Sequence, residues 1–194
     1  MTVTQRDAQY HNYGDYLKWS RDHGDEVIDG VAYVREPPSP SYDHQQLVVA
    51  LSAELWFELE GRSCRVCVAP LDIRLPSSDE PDEGIETVVQ PDVFIVCDLG
   101  KTDERGVRGA PDWLAEVLSP STAGYDQSVK IPVYERAGVP EVWLVHPMDR
   151  TLAIYRLEEG RYGRPIYQEL KGQTLLSAVP GISVDWDRMM ARLV

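Results

Sequence analysis

Two carboxylates interrupt segments of the sequence that otherwise have the composition of buried strands. Asp92 precedes the apolar run Val93–Cys97, and Glu116 lies inside Trp113–Leu118, on the same strand face as Leu118. A carboxylate left unpaired among apolar side chains costs several kcal/mol or takes up a proton. A divalent cation would remove that cost for both acids, because Mg²⁺ prefers oxygen ligands from one or two carboxylates together with water. Taken singly, an ordinary strand-end Asp and a Glu paired with Arg explain the same pattern.

A lysine follows these acids on a predicted helix. Asp126, Lys130 and Tyr134 are spaced at i, i+4 and i+8, so they share one face of a helix expected over 125–137. Lys130 is the only lysine between residues 102 and 170. A surface Asp–Lys pair would explain this spacing. The functional alternative directs the ammonium at the acid pair, where it would orient a water molecule and stabilise charge developing on a phosphoryl oxygen.

The elements that must position these groups follow from periodicity and turn residues. The best helix covers Tyr42–Glu60, whose leucines repeat at helical spacing, and an Asp-Gly turn within Glu26–Val34 predicts an N-terminal hairpin. A short helix is expected over Tyr13–Arg21, and Pro37–Pro40 breaks the chain before the long helix. Strands are predicted over 65–69, 71–75, 88–97, 113–118, 141–146, 151–157 and 160–168.

This order predicts an α/β (α+β) fold with one mixed central sheet flanked by helices. The core spans about 42–146, with the hairpin added before it and further strands after it. A chain of 194 residues is expected to form one domain, 1–194, around one sizeable core.

Charge and hydropathy restrict the class of protein. The chain has 19 Lys and Arg against 32 Asp and Glu, a net charge of −13, and residues 1–98 hold 7 basic and 19 acidic side chains, which gives −12. This balance argues against nonspecific adhesion to nucleic acid without excluding a local site.

The longest apolar runs are five residues and the first twenty residues are polar, so neither a membrane span nor a secretory signal is expected. We therefore expect a cytoplasmic protein.

The three cysteines are expected to be reduced and structural. Cys64 and Cys67 form a C-x-x-C inside a strand-like stretch, whereas a redox pair would be expected at a helix start. A zinc site would need two further ligands at suitable spacing, and no second C-x-x-C or H-x-x-x-H follows.

A series of segments in this order resembles the Uma2 family, which is placed in the PD-(D/E)XK nuclease superfamily. The resemblance covers about 26–157 and rests on Glu26–Gly30, Pro38–Pro40 with His44, Pro70–Leu75, Gln90–Asp98, Gly109–Thr122, Asp126, Lys130, Tyr134 and Ala137–Pro147. It implies a restriction-endonuclease-like core in the order helix, three strands, helix, strand.

The resemblance also implies an activity, a Mg²⁺-dependent endonuclease that hydrolyses DNA phosphodiesters, with Mn²⁺ as a substitute ion. Asp92 and Glu116 match the two metal-binding acids, and the carbonyl of Val117 would complete the protein ligands. The superfamily's usual lysine would fall two residues after the second acid, where this chain has Leu118. In the Uma2 pattern the lysine comes from the next helix, and Lys130 fills that position.

Further candidates carry less specific signals. His44 lies near the apolar stripe of the long helix, where it is either a satisfied histidine under the Pro37–Pro40 turn or a supporting residue of the site. Glu58 lies inside the same stripe, and the superfamily often uses an acid of its first helix to hold the metal through water. Asp72 shares a strand face with Arg74, which predicts a surface salt bridge as well as it predicts a role in the site. Three arginines are candidate DNA phosphate contacts: Arg105, Arg108 and Arg136.

A second function from another class stays open at this point. A nuclease-fold protein without turnover, acting as a nucleic-acid or protein binding module, fits the acidic balance and the missing lysine after Glu116. Uptake of Mg²⁺ or Mn²⁺ by the two acids separates these functions. A homodimer that cuts both strands of a duplex is a further expectation.

Overall fold

The computed structural model describes residues 3–19, 25–35 and 41–192. The α-helices are α1 (Tyr13–Tyr16), α2 (Tyr42–Glu58), α3 (Ala123–Tyr125), α4 (Ile131–Ala137) and α5 (Trp186–Met190). A π-helical turn over Asp126–Lys130 joins α3 to α4, and short 3-10 turns cover Asp82–Gly84 and Leu99–Lys101. Within these ranges, no helix combines the length and apolar character required to cross a bilayer.

The strands are short and numerous. In chain order they are β1 (Val3–Gln5), β2 (Glu26–Ile28), β3 (Val31–Arg35), β4 (Arg65–Val68), β5 (Ile73–Arg74), β6 (Val88–Val89), β7 (Val93–Val96), β8 (Thr102–Asp103), β9 (Gly106–Arg108), β10 (Trp113–Val117), β11 (Glu141–His146), β12 (Thr151–Glu158), β13 (Arg161–Tyr162), β14 (Ile166–Glu169), β15 (Gln173–Leu175) and β16 (Ser183–Asp185).

The sheet that carries the second acid runs in the order β13-β12-β11-β10-β7-β4, with β14 paired to β12. Strands β4, β7 and β10 pair antiparallel, whereas β11 is parallel to β10. A parallel neighbour requires a crossover, which α3, the π-helical turn and α4 supply. With α2 before β4, the order is helix, three strands, helix, strand, and the predicted mixed α+β architecture is confirmed.

The sequence did not reveal a second large sheet, which includes the N-terminal hairpin and runs in the order β1-β3-β2-β6-β5-β9-β8. Segment 88–97, predicted as one strand, is divided: β6 belongs to the second sheet and β7 to the first. Gln90-Pro91-Asp92 separates the two, and proline has no N–H to donate to a ladder. The break places Asp92 at the start of β7, where the chain passes from one sheet to the other.

Several predicted elements are present with different bounds. The N-terminal hairpin forms as β2 and β3, and its turn residues Asp29 and Gly30 have φ of 50° and 76°, as a two-residue type I′ turn requires. The predicted strand over 71–75 is reduced to β5, and α1 ends at Tyr16 instead of Arg21. Arg21 and the Pro37–Pro40 break lie outside the described residues.

The apolar stripe of α2 covers one face of the first sheet. Leu47, Leu51 and Leu55 are buried together with Trp113 and Val117 of β10. Because side chains of a strand alternate between faces, the even-numbered residues of β10 point to the other side.

That other side of β10 faces the segment that carries the predicted lysine. Leu114 and Leu118 are buried with Ile131 and Tyr134 of α4. Glu116 lies between these two leucines on the same strand face, so it is directed into the interface between the sheet and the helix.

The prediction of three reduced cysteines is wrong for two of them. Cys64 and Cys97 form a disulfide, and Cys67 is free. The ladder of β4 and β7 pairs Arg65 with Val96, so the next step outward places Cys64 opposite Cys97. The pairing depends on a register between strands 33 residues apart in sequence, which the spacing of the cysteines does not reveal.

Candidate active site

Asp92 and Glu116 lie next to each other across two antiparallel strands. The ladder of β7 and β10 pairs Val93 with Ala115, and continuing this register by one step places Asp92 opposite Glu116. Directly opposite residues have Cβ atoms about 4.5–5.5 Å apart. The backbone N–H of Val117 donates to Asp92 Oδ2 at 2.8 Å, which fixes the first acid against the end of β10. The two acids singled out in the sequence are therefore neighbours.

His44 reaches the same carboxylate from the first turn of α2. Its Nε2 lies 3.2 Å from Asp92 Oδ2. The side chains of His44 and Asp92 are 12% and 11% exposed, whereas that of Glu116 is 2% exposed. His44 and Asp92 thus form the solvent-facing end of the site.

Lys130 is directed inward, at the second acid. Its side chain is fully buried, and Nζ lies 2.6 Å from Glu116 Oε1. The Tyr134 hydroxyl donates to the same Oε1. Lys130 ends the π-helical turn, in which the Ile131 N–H donates to the Asp126 carbonyl five residues earlier, and such turns are frequent at functional sites. The structure thereby buries Asp126, Lys130 and Tyr134, the three residues predicted to share a helix face.

Glu26 is a site residue that the sequence analysis missed. It opens β2, is 1% exposed, and its Oε1 lies 3.1 Å from Lys130 Nζ. The same Oε1 accepts the Gln90 N–H at 2.7 Å, and Oε2 accepts the Tyr125 hydroxyl at 2.9 Å. The signal was present in the sequence, because Glu26 begins an apolar strand segment just as Glu116 interrupts one.

These groups form what we call the acid cluster: Glu26, Asp92, Glu116 and Asp126 with Lys130. Burial is the main cause that raises the pKa of Glu116 to about 8, from an ordinary value of 4.5. The Lys130 ammonium opposes this shift, and the other three carboxylates add to it. Glu116 therefore favours a proton at neutral pH although it contacts an ammonium.

The acid cluster fits a hard divalent cation that keeps most of its water. Within the described ranges, no group of three or more His, Cys, Asp and Glu side chains is arranged to hold a metal ion. Mg²⁺ does not require such a group, because one or two carboxylates with waters and substrate phosphates usually bind it. Asp92 and Glu116 supply two carboxylates, and the adjacent Val117 carbonyl is a third oxygen of the type that hard cations prefer. A cation there would also offset the charge that raises the pKa of Glu116.

Asp72 does not form the predicted surface salt bridge with Arg74. Its buried carboxylate accepts the Tyr16 hydroxyl and the Gln90 side-chain amide, each at 2.8 Å. Gln90 in turn donates its backbone N–H to Glu26. Asp72 therefore supports the acid cluster indirectly, because it holds Gln90, which in turn contacts Glu26.

Glu58 lies away from the acid cluster. It ends α2, fourteen residues after His44, and at 1.5 Å per residue this is about 21 Å along the helix axis. Its charge instead acts on Arg188, at the far end of α2. This separation contradicts the prediction that Glu58 supports the metal site. Helical periodicity predicts the face of the helix on which a residue lies, but it does not predict which end of the helix meets the site.

The three arginines predicted as phosphate contacts are each paired with a carboxylate. The pairs are Arg105–Glu83 at 3.1 Å, Arg108–Asp82 at 2.9 Å and Arg136–Asp29 at 2.7 Å. The structure joins these guanidinium groups to other acids and does not bring them into the acid cluster. These long-range pairs have no local signal in the sequence.

Comparison with known proteins places this geometry in a family. The Uma2 family model, described as a putative restriction endonuclease, matches residues 13–188. An uncharacterized protein of Synechocystis sp., slr1290, is 28% identical over 122 residues, which cover 62% of this chain. The chain matches 60% of the length of that curated relative.

A solved structure shares the fold. The crystal structure of a putative nuclease belonging to DUF820 from Anabaena variabilis aligns with a TM-score of 0.72 and 16% sequence identity. The alignment covers 94% of this chain and 99% of that one. At this identity, the likeness shows a common architecture.

The family match extends well beyond the segments that suggested it. The matched range contains the whole acid cluster, including Glu26 at the N-terminal hairpin and Lys130 at the π-helical turn. It spans every strand of the first sheet and, except for β1, every strand of the second. The chain belongs to the Uma2 family of putative restriction endonucleases.

Proposed function

We propose that this chain is a Mg²⁺-dependent endonuclease that hydrolyses DNA phosphodiester bonds. The observation that carries the proposal is the convergence of Lys130 Nζ on Glu116 Oε1, at 2.6 Å, beside Asp92. Membership of the Uma2 family supports the nuclease class.

Asp92, Glu116 and the Val117 carbonyl would hold the ion. When bound, Mg²⁺ supplies a Lewis acid that polarises a phosphoryl oxygen and lowers the pKa of a bound water. The carboxylates must be ionised to bind a cation, so Glu116 would release its proton when the ion binds.

Lys130 orients the attacking water and offsets negative charge on the phosphoryl group. Its ammonium is held by two carboxylates, Glu116 and Glu26, and Glu26 is itself fixed by the Gln90 N–H and the Tyr125 hydroxyl. A donor held in this way needs little reorganisation as charge develops, which is the main source of electrostatic catalysis. Glu26 is in this account a positioning residue, since it acts through Lys130.

Cleavage of a supercoiled plasmid in Mg²⁺ tests the proposal. We expect Asp92→Asn and Glu116→Gln, which keep the shape of each side chain, to lower the cleavage rate by about 10²-fold or more. Asp103→Asn is the matched control, because it removes a carboxylate from an ion pair outside the acid cluster. Wild-type rates in both acid-cluster variants would overturn the proposal.

One observation favours the alternative of a nuclease-fold binding module without turnover. Glu116 and Lys130 are 2% and 0% exposed, so the inner part of the acid cluster is closed to solvent. A silent module would show no carboxylate-dependent uptake of Mg²⁺ and no cleavage by the wild-type chain. Cleavage that is lost on removal of the metal ion with a chelator would exclude it.

A further inference from the structure

A cavity of about 460 Å³ opens beside the solvent-facing end of the acid cluster. His44 lines it and contacts Asp92 at 3.2 Å. Leu118 and Ser119 form another part of its wall, directly after Glu116 and Val117 in the chain. The cavity therefore lies one side chain away from the first acid.

Two arginines line this cavity, and the described residues include no acidic partner for either. In the described part of the chain, Arg150 and Arg192 form no ion pair, in contrast to Arg105, Arg108 and Arg136. A guanidinium group binds phosphate through parallel N–H donors. One carboxylate, that of Asp43, also lines the cavity, so two guanidinium groups face one acid. On a chain with a net charge of −13, this local excess of positive charge favours an anionic ligand.

Exposed apolar side chains lie on the same cavity wall. Tyr42 is 76% exposed and Met148 is 80% exposed, and Leu47 and Leu118 contribute buried apolar surface. Base stacking on an aromatic ring is tolerant of sequence, because every base has a π-face. A cavity that combines guanidinium groups with an exposed tyrosine ring suits a ligand that has both a phosphate and a base.

The size of the cavity and the charge of the chain favour an unpaired strand over a continuous duplex. A volume of 460 Å³ lies within the range of sites that hold one small molecule, and enzymes that read an extruded nucleotide place it in a pocket of this kind. A duplex carries one negative charge per about 1.7 Å of axis, so it would extend past the two arginines over a protein whose net charge is −13.

We infer that this cavity binds an unpaired DNA nucleotide next to the scissile phosphodiester, with Tyr42 stacked on the base and Arg150 and Arg192 on the phosphates. The substrate class is then DNA with an unpaired segment. Cleavage of the adjacent phosphodiester rests on the proposed function, whereas binding of the nucleotide in the cavity does not require turnover.

Fluorescence anisotropy tests the inference with a labelled single-stranded oligodeoxynucleotide and a blunt duplex of the same length, in low salt with a chelator present. We expect the single strand to bind at least roughly tenfold more tightly than the duplex, and Tyr42→Ala to weaken it by about tenfold. Arg150→Gln and Arg192→Gln should each reduce the slope of log affinity against log salt by about 0.7.

Matched controls lie outside the cavity. Tyr167→Ala removes a ring that is 69% exposed on β14, and Arg105→Gln removes a guanidinium paired with Glu83. Both controls should bind like wild type, and circular dichroism should show all five variants folded.

The outcomes separate this inference from the proposed function. Equal affinity for both probes, no binding of either, or wild-type binding by the three cavity variants would overturn the inference, even if plasmid cleavage still depends on Asp92. Binding that depends on the three cavity residues would support it, even if the chain cleaves nothing in Mg²⁺.

Discussion

Two buried cations of this protein each hold two carboxylates, and the carboxylates differ in their exposure to water. Lys130 pairs with Glu26 and Glu116, which are 1% and 2% exposed. Arg74 pairs with Asp82 and Asp103, whose side chains are 22% and 48% exposed. We call the second group the Arg74 cluster.

The difference in exposure reverses the direction of the pKa shifts. In the Arg74 cluster, the hydrogen bond from Arg74 is the main cause that lowers the pKa of Asp103. In the acid cluster, burial raises the pKa of Glu116 to about 8 despite the contact with Lys130. Asp82 also pairs with Arg108 at 2.9 Å, so two cations face the two carboxylates of the Arg74 cluster. In the acid cluster, four carboxylates face the single ammonium of Lys130. The acid cluster, with its excess of buried negative charge, is therefore a candidate functional site. The Arg74 cluster, whose carboxylates are paired and partly exposed, is structural.

Removing the cation should affect the acid cluster most. Lys130→Met leaves the Glu26 carboxylate and the Glu116 carboxyl group buried without their cation, so we expect the free energy of unfolding to fall by about 3–5 kcal/mol. Arg74→Met should cost less, because water can solvate Asp82 and Asp103 in its place. Denaturant titration of both variants measures the difference, and an equal or larger loss for Arg74→Met would contradict the comparison.

The pH dependence of stability should follow the raised pKa of Glu116. Between about pH 4.5 and 8 the folded state binds a proton at Glu116 that the unfolded state has released, so the free energy of unfolding falls as pH rises. The expected change over this window is on the order of a few kcal/mol. Glu116→Gln should flatten the profile in denaturant titrations across this range. A wild-type profile that rises with pH here would be inconsistent with the shift.

Asp103 should give a smaller effect of opposite sign. Its lowered pKa contributes stability that is present above the ordinary value of 3.8 and is lost as pH falls through the folded-state value. Because this side chain is half exposed, Asp103→Asn should change the free energy of unfolding near neutral pH by less than about 1 kcal/mol. A melting temperature well below that of wild type would show that the Arg74 cluster matters more to folding than its exposure indicates.

The sequence was informative where local patterns determine structure. The leucine spacing predicted α2, the Asp-Gly turn predicted the hairpin, and apolar runs predicted β10 and β11. The two acids could be singled out because a carboxylate among core residues needs a counter-charge wherever the chain goes. Lys130 could be connected to them through helical spacing and the family resemblance.

The contacts that the sequence did not reveal are long-range. Glu26 meets Lys130 across 104 residues, since 130 − 26 = 104, and Cys64 meets Cys97 only because β4 and β7 pair in one register. Pro91 explains locally why segment 88–97 is interrupted. The assignment of its two halves to different sheets depends on the strands with which β6 and β7 pair, which are distant in sequence. For Asp72, a surface salt bridge and a role in the site stayed equally open, because alternation in a short strand does not tell which face is covered.

Calorimetric titration of Mg²⁺ near pH 7, in two buffers of different ionisation enthalpy, tests the central claim most directly. With a pKa raised to about 8, Glu116 is mostly protonated at this pH, so the account predicts saturable uptake that is accompanied by proton release. Glu116→Gln should abolish this proton release, and Asp103→Asn should leave it unchanged. Absence of saturable uptake, or uptake that Glu116→Gln does not alter, would contradict the account.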